Sequence, residues 1–478
     1  MRQQRVTATS RLKKPKYTWI RSLEKAGGAR YQQIVQQVMV AVQDGVLKSG
    51  DRLPPQRELA KIIGVDLTTV TRAYNELRLA GFLDAQGASG SYIANTAELI
   101  GGEEQLIDLS MNIPPLMNTA QFTQWLQMGF AYVGDQSSNG LLMNYRVGAG
   151  SKLDREAAAT WLQPALGDFD PSRVLICAGA QSAISALILA YSQLGDTIAV
   201  ESLTYPGMLA AARVLQRQLV PIATDHEGMV VEDLERLCKK SPPTLLYLVP
   251  TIQNPTTVTM SLKRREQIYA VAARYGVAII EDDPYWLLAA DAPTPIAALE
   301  PQAPSAPVFY VSTLSKCMAP GLRTAYVVMP PGLSLEPLLD VFRATQLMTS
   351  QSAVSMATYF IRQGIAQEML HAIQHELAQR QRLATSLLPT SEASHPHGLH
   401  LWLQIPATID QYRLIQTAQE QGLGVTGSEA FCVTEPAVSA MRVSLGGAKD
   451  QQRLAEALGT LASILNDTNG FKKQPVIV

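Results

Sequence analysis

The chain has 478 residues, of which 47% are apolar and 17% charged; this allows two or three domains with sizeable cores and excludes a disordered or coiled-coil protein. Four widely separated cysteines exclude a disulfide scaffold and a cysteine-rich zinc site, and they favour a reducing cytoplasm. The sequence has no apolar run of about 18 residues, so we expect no membrane span, and no apolar h-region of a secretory signal.

Charge is distributed unevenly along the chain. Residues 1–95 carry a net charge of +8 within a chain whose total is −1. Most of the excess lies in residues 1–30, where nine basic side chains accompany one acid, Glu24. Such a run is typical of a solvated, disordered tail, of an organelle transit peptide or of an arm that contacts DNA. The segment that follows favours the DNA-contacting arm.

Residues 31–95 have the element order of a winged helix-turn-helix. Apolar residues recur with helical period over Tyr31–Val42, and shorter helices are predicted over Gln56–Ile63 and Leu67–Ala80. Phe82–Asp84 and Ser91–Ala94 flank a polar, glycine-containing turn and predict a hairpin, the wing. The helix from residue 67 turns short polar and basic side chains to one face, which suits entry into a major groove.

The stretch GDRLPPQRELAKIIGVDLTTVTRAYNELRLAGFL resembles the GntR family of bacterial regulators. The resemblance implies that Arg57, Thr68, Thr69 and Arg72 contact DNA and that Gly90 is the glycine of the wing. A winged helix that contacts another protein is the alternative, and the adjacent basic arm favours DNA.

Residues 96–107 have no clear periodicity and predict a linker. A second domain follows, in which apolar runs alternate with helical segments, the pattern of an α/β domain with a mostly parallel sheet. In such sheets ligands bind at the carboxyl ends of the strands. The predicted strands are Val174–Cys177, Ile198–Val200, Leu245–Val249, Val277–Ile280, Val308–Val311 and Tyr326–Val328.

The residues that follow these strands form a chemically consistent set. A small-residue turn into a helix at Gly179–Ser182 suits a phosphate, and Lys316 can bond to an aldehyde. Asp282 can pair with a pyridine nitrogen, and Arg323 can hold phosphate with its planar fork. Each feature alone is more often a turn or a surface charge. Together they are the set that pyridoxal 5′-phosphate (PLP) requires.

From about residue 108 to 470 the chain resembles the fold-type I aminotransferases in seven ordered motifs: NYRVGAGSKLDREAAATWL, CAGAQSA, ESLTYPG, PTIQNPTTVTM, IIEDDPYWLL, STLSKCMAPGLR and MRVSLGG. The resemblance implies that Lys316 is the Schiff-base lysine and that Arg442 binds a substrate or effector carboxylate. It implies that Tyr145 reaches the phosphate of the neighbouring subunit. The other implied cofactor-binding residues are Asp282, Tyr285, Asn254, Tyr205, Ala180, Gln181, Ser315 and Arg323.

The two halves together resemble the MocR subfamily of GntR regulators. This implies an arm over residues 1–30, a winged helix over 31–95, a linker over 96–107 and a PLP-dependent transferase fold type I domain over 108–470. The last is expected to have a large α/β part and a smaller C-terminal α+β part.

The resemblance further implies a bacterial, cytoplasmic homodimer, head-to-tail, that binds repeated DNA half-sites. Its PLP domain is expected to sense an amine or amino-acid effector and to control genes of vitamin B6, amino-acid or amine metabolism. A working aminotransferase with an autoregulatory DNA-binding domain and a protein that stores cofactor are the alternatives. No metal is expected: His371 and His375 are interpreted as an exposed helix face, and the region around His395, His397 and His400 as a loop before a strand at Leu401–Ile405.

Overall fold

The structure is a computed structural model. It describes residues 17, 19–20, 22–23, 29–43, 46–79, 82–85, 90–94, 107–116, 119–137, 140–289, 291–299, 306–388, 394–406, 408–434, 438–466 and 471. These residues fall into two compact units that divide between positions 105 and 106. Nearly all of the predicted linker, and the predicted wing turn at 86–89, lie outside the described residues.

The first unit contains three helices and an antiparallel hairpin, as predicted. Ile34, Val38, Val70 and Leu77, spaced at helical period, are fully buried and pack together. The positive-φ residue Gly64 ends the second helix and turns the chain into the third. The elements are α1 (Arg30–Gln43), α2 (Gln56–Ile63), α3 (Leu67–Leu79), β1 (Leu83–Ala85) and β2 (Ser91–Ile93).

Part of the predicted arm belongs to the core of this unit. Trp19 is only 8% exposed and lies in the same apolar cluster as the three helices, and Tyr17, Ile20 and Leu23 pack against that cluster. The expectation of a disordered arm over residues 1–30 is therefore wrong for these positions. The physical reason is that the prediction rested on charge alone, whereas burial of these apolar side chains fixes the chain. Residues 1–16 lie outside the described residues.

The second unit alternates strands and helices along most of its length. Its elements are β3 (Ile107–Asp108), α4 (Thr119–Ser137), α5 (Lys152–Leu166), β4 (Val174–Cys177), α6 (Ala180–Tyr191), β5 (Thr197–Glu201), α7 (Pro206–Val214), β6 (Gln218–Ile222), β7 (Thr224–Asp225), β8 (Gly228–Met229), α8 (Val231–Lys240), β9 (Leu245–Leu248), α9 (Leu262–Tyr275), β10 (Ala278–Asp282), α10 (Ile296–Leu299), β11 (Val308–Thr313), β12 (Ala325–Val328), α11 (Glu336–Thr345), α12 (Gln351–Arg362), α13 (Ile365–Leu387), β13 (His400–Gln404), α14 (Gln411–Glu420), β14 (Leu423–Gly424), β15 (Thr426–Gly427), β16 (Ala440–Ser444) and α15 (Gln451–Asn466).

The central sheet of this unit has seven described strands in the order β4-β12-β11-β10-β9-β5-β6. Only β12 runs antiparallel to its neighbours, so the prediction of a mostly parallel sheet is confirmed. The inner strands are buried apolar runs because helices cover both faces of such a sheet. The sequence prediction missed β6, which is a half-buried edge strand containing Pro221. Proline breaks the usual strand pattern, and only an edge tolerates it.

A smaller C-terminal part is built on the antiparallel sheet β13-β16-β15 with α14 and α15, as the fold prediction required. The strand β3, at the start of the unit, pairs in parallel with β14 of this part. The first strand of the unit is therefore hydrogen-bonded to its smaller C-terminal part. In the described part of the chain, every helix is too short or too polar to cross a membrane.

Candidate functional site

A cavity of about 290 Å³ opens at the carboxyl ends of the central strands. Strand ends converge there because parallel strands all finish at one edge of the sheet. Of the residues predicted to bind the cofactor or its ligand, the cavity is lined by Lys316, Asp282, Tyr285, Asn254, Tyr205, Ala180 and Arg442.

Lys316 follows β11 and extends its side chain into this cavity. Its Nζ donates a hydrogen bond to the backbone carbonyl of Asn112. Burial lowers the pKa of the Lys316 ammonium to about 8, and the positive charge of Arg442 acts in the same direction. About one-tenth of the amine is therefore neutral, and nucleophilic, at pH 7, far more than for a lysine with the ordinary pKa of 10.5.

Asp282 is the last residue of β10 and is 4% exposed. Its Oδ2 accepts a hydrogen bond of 2.7 Å from the hydroxyl of Tyr247, and its Oδ1 is buried without a partner among the described residues. Burial raises the pKa of Asp282 to about 7. A cation opposite Oδ1 would reverse that shift, because an opposite charge stabilises the carboxylate. Sequence reasoning missed Tyr247, whose role depends on the neighbouring strand.

Asn112 joins two aromatic side chains of the site. Its Nδ2 lies 2.9 Å from the hydroxyl of Tyr285, which accepts the bond, and 3.1 Å from Nδ1 of His400. His400 is fully buried and is the first residue of β13. Its interpretation as part of a loop is therefore wrong, because His400 pairs with Ser444 of β16 and begins the strand one residue earlier than predicted. Neither Asn112 nor His400 carries a sequence signal that distinguishes it from an ordinary polar residue.

The predicted phosphate turn is formed by the chain between β4 and α6. Gly179 has a φ of +94°, and Arg323 Nη2 would lie 2.6 Å from a Cβ at this position, so the guanidinium packs directly on the turn. Gln181 Nε2 donates to the Gly207 carbonyl at 2.8 Å, and the Ser315 hydroxyl accepts a bond of 3.1 Å from Thr313. The amides of the first turn of α6 and one arginine thus face the same region, which favours an anion.

Arg442 lies on β16, 7% exposed, with its guanidinium held from three sides. Nη1 donates to Asn254 Oδ1 at 2.8 Å, Nη2 donates to the Ser110 carbonyl, and the ring centroid of Phe431 is 4.9 Å from Cζ. Its Nε is buried without a partner among the described residues. The cation is therefore fixed in position at the cavity wall.

Tyr145, predicted to reach the phosphate of a neighbouring subunit, lies outside the cavity of its own chain. Its side chain is 77% exposed and is absent from the described lining of the cavity. Leu142, Met143 and Val147 beside it are also exposed, Met143 by 87%. Tyr145 therefore belongs to an apolar surface and not to the cavity of its own chain.

The predicted DNA-contacting residues lie on α2, α3 and the wing of the first unit. Arg57, Thr68 and Arg72 are exposed, and Thr69 and Gly90 are partly exposed.

Arg72 is held in place by a residue that sequence reasoning missed. Its Cζ lies 3.9 Å from the ring centroid of Tyr31, and Nη2 donates to the Tyr31 hydroxyl at 3.2 Å. Tyr31 thus orients Arg72 through a cation–π contact and a hydrogen bond.

Residues 104–461 match the family described as aminotransferase class I and II, and the chain belongs to this family. Residues 30–93 match the family described as bacterial regulatory proteins, gntR family. The chain therefore combines a GntR helix-turn-helix domain with an aminotransferase domain, the arrangement of the MocR subfamily.

Similar proteins have the same arrangement or the same fold. The chain is 28% identical to the uncharacterized HTH-type transcriptional regulator YdeF of Bacillus subtilis, covering 94% of this chain and 97% of YdeF. It is 24% identical to the uncharacterized HTH-type transcriptional regulator YdcR of Escherichia coli, covering 85% and 92%. The Pyrococcus horikoshii kynurenine aminotransferase structure, 24% identical, covers 78% of this chain and 94% of its own with a TM-score of 0.67.

The family implies PLP as the cofactor, and the residues present fit it. The unpartnered Asp282 Oδ1 suits a protonated pyridine nitrogen, and Lys316 shares its cavity. The turn at Gly179 with Arg323 suits the phosphate. When bound, PLP supplies an electrophilic aldehyde and an electron-withdrawing ring.

Proposed function

We propose that this chain is a PLP-dependent DNA-binding regulator of transcription whose aminotransferase-type domain senses the cofactor or an amine that competes with Lys316 for it. The observation that carries the proposal is the presence of both parts in one chain. An exposed recognition helix with Arg72 oriented by Tyr31 accompanies a cavity that holds Lys316, Asp282 and Arg442. Relatives with the same two parts over most of their length are named transcriptional regulators.

The effector proposed for the site is an amine, and Arg442 favours one that carries a carboxylate. A planar guanidinium binds two carboxylate oxygens at once. A ligand shifts the regulator only as far as it prefers one conformation of the protein. From the resemblance to the MocR subfamily we also propose that the regulated genes belong to vitamin B6, amino-acid or amine metabolism and that the protein acts in the cytoplasm.

The test is DNA binding to the upstream region of the protein's own gene, at fixed salt, with cofactor-free and PLP-loaded protein compared. A change in affinity or footprint on loading with PLP, or on adding an amine to loaded protein, supports the sensor. An absence of specific binding in every form would contradict the proposal.

The second candidate function is an active aminotransferase, and one observation favours it. The lysine, the acid and the arginine that the reaction needs all reach one cavity. Steady-state turnover of an amino acid with a keto acid would support this candidate, and its absence together with a switchable DNA complex would exclude it as the main role.

We further propose that the apolar surface around Tyr145 is covered by a second copy of the chain, so that Tyr145 reaches the partner's phosphate site in a head-to-tail homodimer. Exposed apolar patches of this kind mark interaction surfaces.

Met143→Asp is therefore expected to yield monomers and to weaken PLP retention, because a buried charge opposes association. Sedimentation velocity measures the first effect. Leu194→Asp, at a position 70% exposed and distant in sequence, is the matched control. Dimers of undiminished affinity in Met143→Asp would contradict the proposal.

Cofactor capture is expected to depend on pH through Lys316. The neutral amine is the nucleophile, so the rate at which cofactor-free protein takes up PLP should rise with pH through about 8 and then level off. Arg442→Gln should move this midpoint to higher pH, because the Arg442 charge helps to lower the pKa of Lys316. Stopped-flow absorbance measures the rate. A midpoint near the ordinary lysine pKa of 10.5 would contradict the expectation.

Removal of residues 2–16 is expected to reduce the salt dependence of DNA binding. This stretch holds six basic residues and no acid, and it ends before the buried Trp19. Each phosphate neutralised contributes about 0.9 to the slope of log K against log salt, so the slope should fall by up to about 5. Titrations at several salt concentrations measure it. An unchanged slope would show that the arm does not contact DNA.

A further inference from the structure

The first residues of the second unit form part of the wall of its candidate cofactor site. β3, at residues 107–108, pairs with β14, and the Ser444 amide donates to the Leu109 carbonyl at 2.7 Å. Asn112, three residues after Leu109, lines the cavity. Residues 107–114, here called the entry segment, are the first described residues that follow the DNA-binding unit along the chain.

Both cations of the site donate hydrogen bonds to backbone carbonyls of this entry segment. Lys316 Nζ donates to the carbonyl of Asn112, and Arg442 Nη2 donates to the carbonyl of Ser110. These are the two groups that the proposed function assigns to the cofactor aldehyde and to the effector carboxylate. If the neutral Lys316 amine bonded to the aldehyde carbon, the water released would take both amine hydrogens and the aldehyde oxygen, and Nζ would no longer donate to the Asn112 carbonyl. A carboxylate on Arg442 competes with the Ser110 carbonyl in the same way.

A second observation shows that the entry segment packs closely against the residues directly after the strand that carries Arg442. A Cβ on Gly446 would lie 1.8 Å from the Ile113 carbonyl oxygen, and a Cβ on Gly447 would lie 1.7 Å from that of Asp108. Real Cβ atoms do not approach an oxygen so closely, so only glycine permits this packing. The GG of the MRVSLGG motif thus provides the seat of the segment, directly after the strand of Arg442.

We propose that the entry segment is the element through which occupancy of the cofactor site alters the attachment of the DNA-binding unit. Lys316 and Arg442 hold the segment by hydrogen bonds, and the same two side chains would engage the cofactor aldehyde and the effector carboxylate. The segment and a ligand would therefore compete for the same donors, and such competition gives the differential binding that coupling between two sites requires. This inference rests on the proposed function, since it names how that site would regulate DNA binding.

Hydrogen exchange of the full-length protein tests the release of the segment. Exchange of the peptide covering residues 107–116 is compared in cofactor-free protein, PLP-loaded protein, and PLP-loaded protein with propionate. Propionamide, which lacks the charge, is the matched ligand control. We expect exchange to become about tenfold faster with PLP and faster again with propionate but not with propionamide, because lost hydrogen bonds raise local opening. Equal exchange in all four states would overturn the proposal.

DNA affinity tests the coupling itself. Gly447→Ala should still bind PLP, judged by absorbance, and still bind DNA, but should lose most of the ligand-dependent change in DNA affinity. Gly459→Ala, where a Cβ meets nothing within 4 Å, is the control and should keep that change. A full ligand-dependent change in Gly447→Ala would overturn the proposal.

The outcomes separate this proposal from the proposed function. If Gly447→Ala fails to fold, the exchange experiment on the wild-type protein decides. Failure of the proposed function appears differently, as absence of specific DNA binding by the wild-type protein in every state. Exchange that responds to PLP would still support release of the entry segment in that case, and unchanged exchange would overturn it.

Discussion

Lys316→Ala is expected to weaken PLP retention by about 100-fold, or about 2.7 kcal/mol, while leaving DNA binding by the cofactor-free protein unchanged. The variant removes the amine that bonds to the aldehyde, whereas Asp282, Tyr205 and the turn at Gly179 keep their places around the cavity. DNA binding is retained because the recognition helix belongs to the other compact unit. Absorbance after gel filtration measures retention, and fluorescence anisotropy measures DNA affinity.

The same variant tests the sensing mechanism. An amine that changes DNA affinity of the wild-type protein should have little effect on Lys316→Ala, because the amine acts by competing with that lysine. Lys152→Ala is the control, since the Lys152 side chain is 86% exposed at the start of α5. An amine response of equal size in Lys316→Ala would show that the effector acts without displacing Lys316.

Arg57→Ala and Arg72→Ala are each expected to weaken specific DNA binding by about 1–3 kcal/mol, or about 5- to 150-fold in Kd. Both side chains are exposed on α2 and α3, and neither belongs to the core of the first unit. The PLP absorbance of both variants should equal that of the wild-type protein. Loss of the cofactor spectrum would show that the two units are not separable.

A variant of Tyr31 separates two contributions of Arg72 to DNA binding: its charge and the orientation that Tyr31 gives it. Tyr31→Leu removes the ring and the hydroxyl that hold Arg72 but leaves the arginine charge. We expect it to weaken binding less than Arg72→Ala does. Lys61→Ala, an exposed basic residue on α2 outside the predicted contacts, is the control for lost charge. Equal losses in Lys61→Ala and Arg72→Ala would mean that only net charge matters.

The sequence by itself predicted the features that depend on local patterns and ordered motifs. Helical periodicity predicted α1 to α3, and apolar runs predicted six of the seven described strands of the central sheet. The motifs at the strand ends predicted Lys316, Asp282 and Arg442, because parallel topology brings the ends of separate strands to one edge. These signals are local or follow from the topology of one fold class.

Tertiary structure decided the contacts between residues distant in sequence. Trp19 enters the core, Tyr247 supports Asp282 and Asn112 joins Tyr285 to His400, and none of these pairings has a sequence spacing that predicts it. The seat of the entry segment on Gly446 and Gly447 is of the same kind, since it brings together positions more than 300 residues apart. Periodicity reports which face of one element is buried; only packing decides which side chain of another element meets it there.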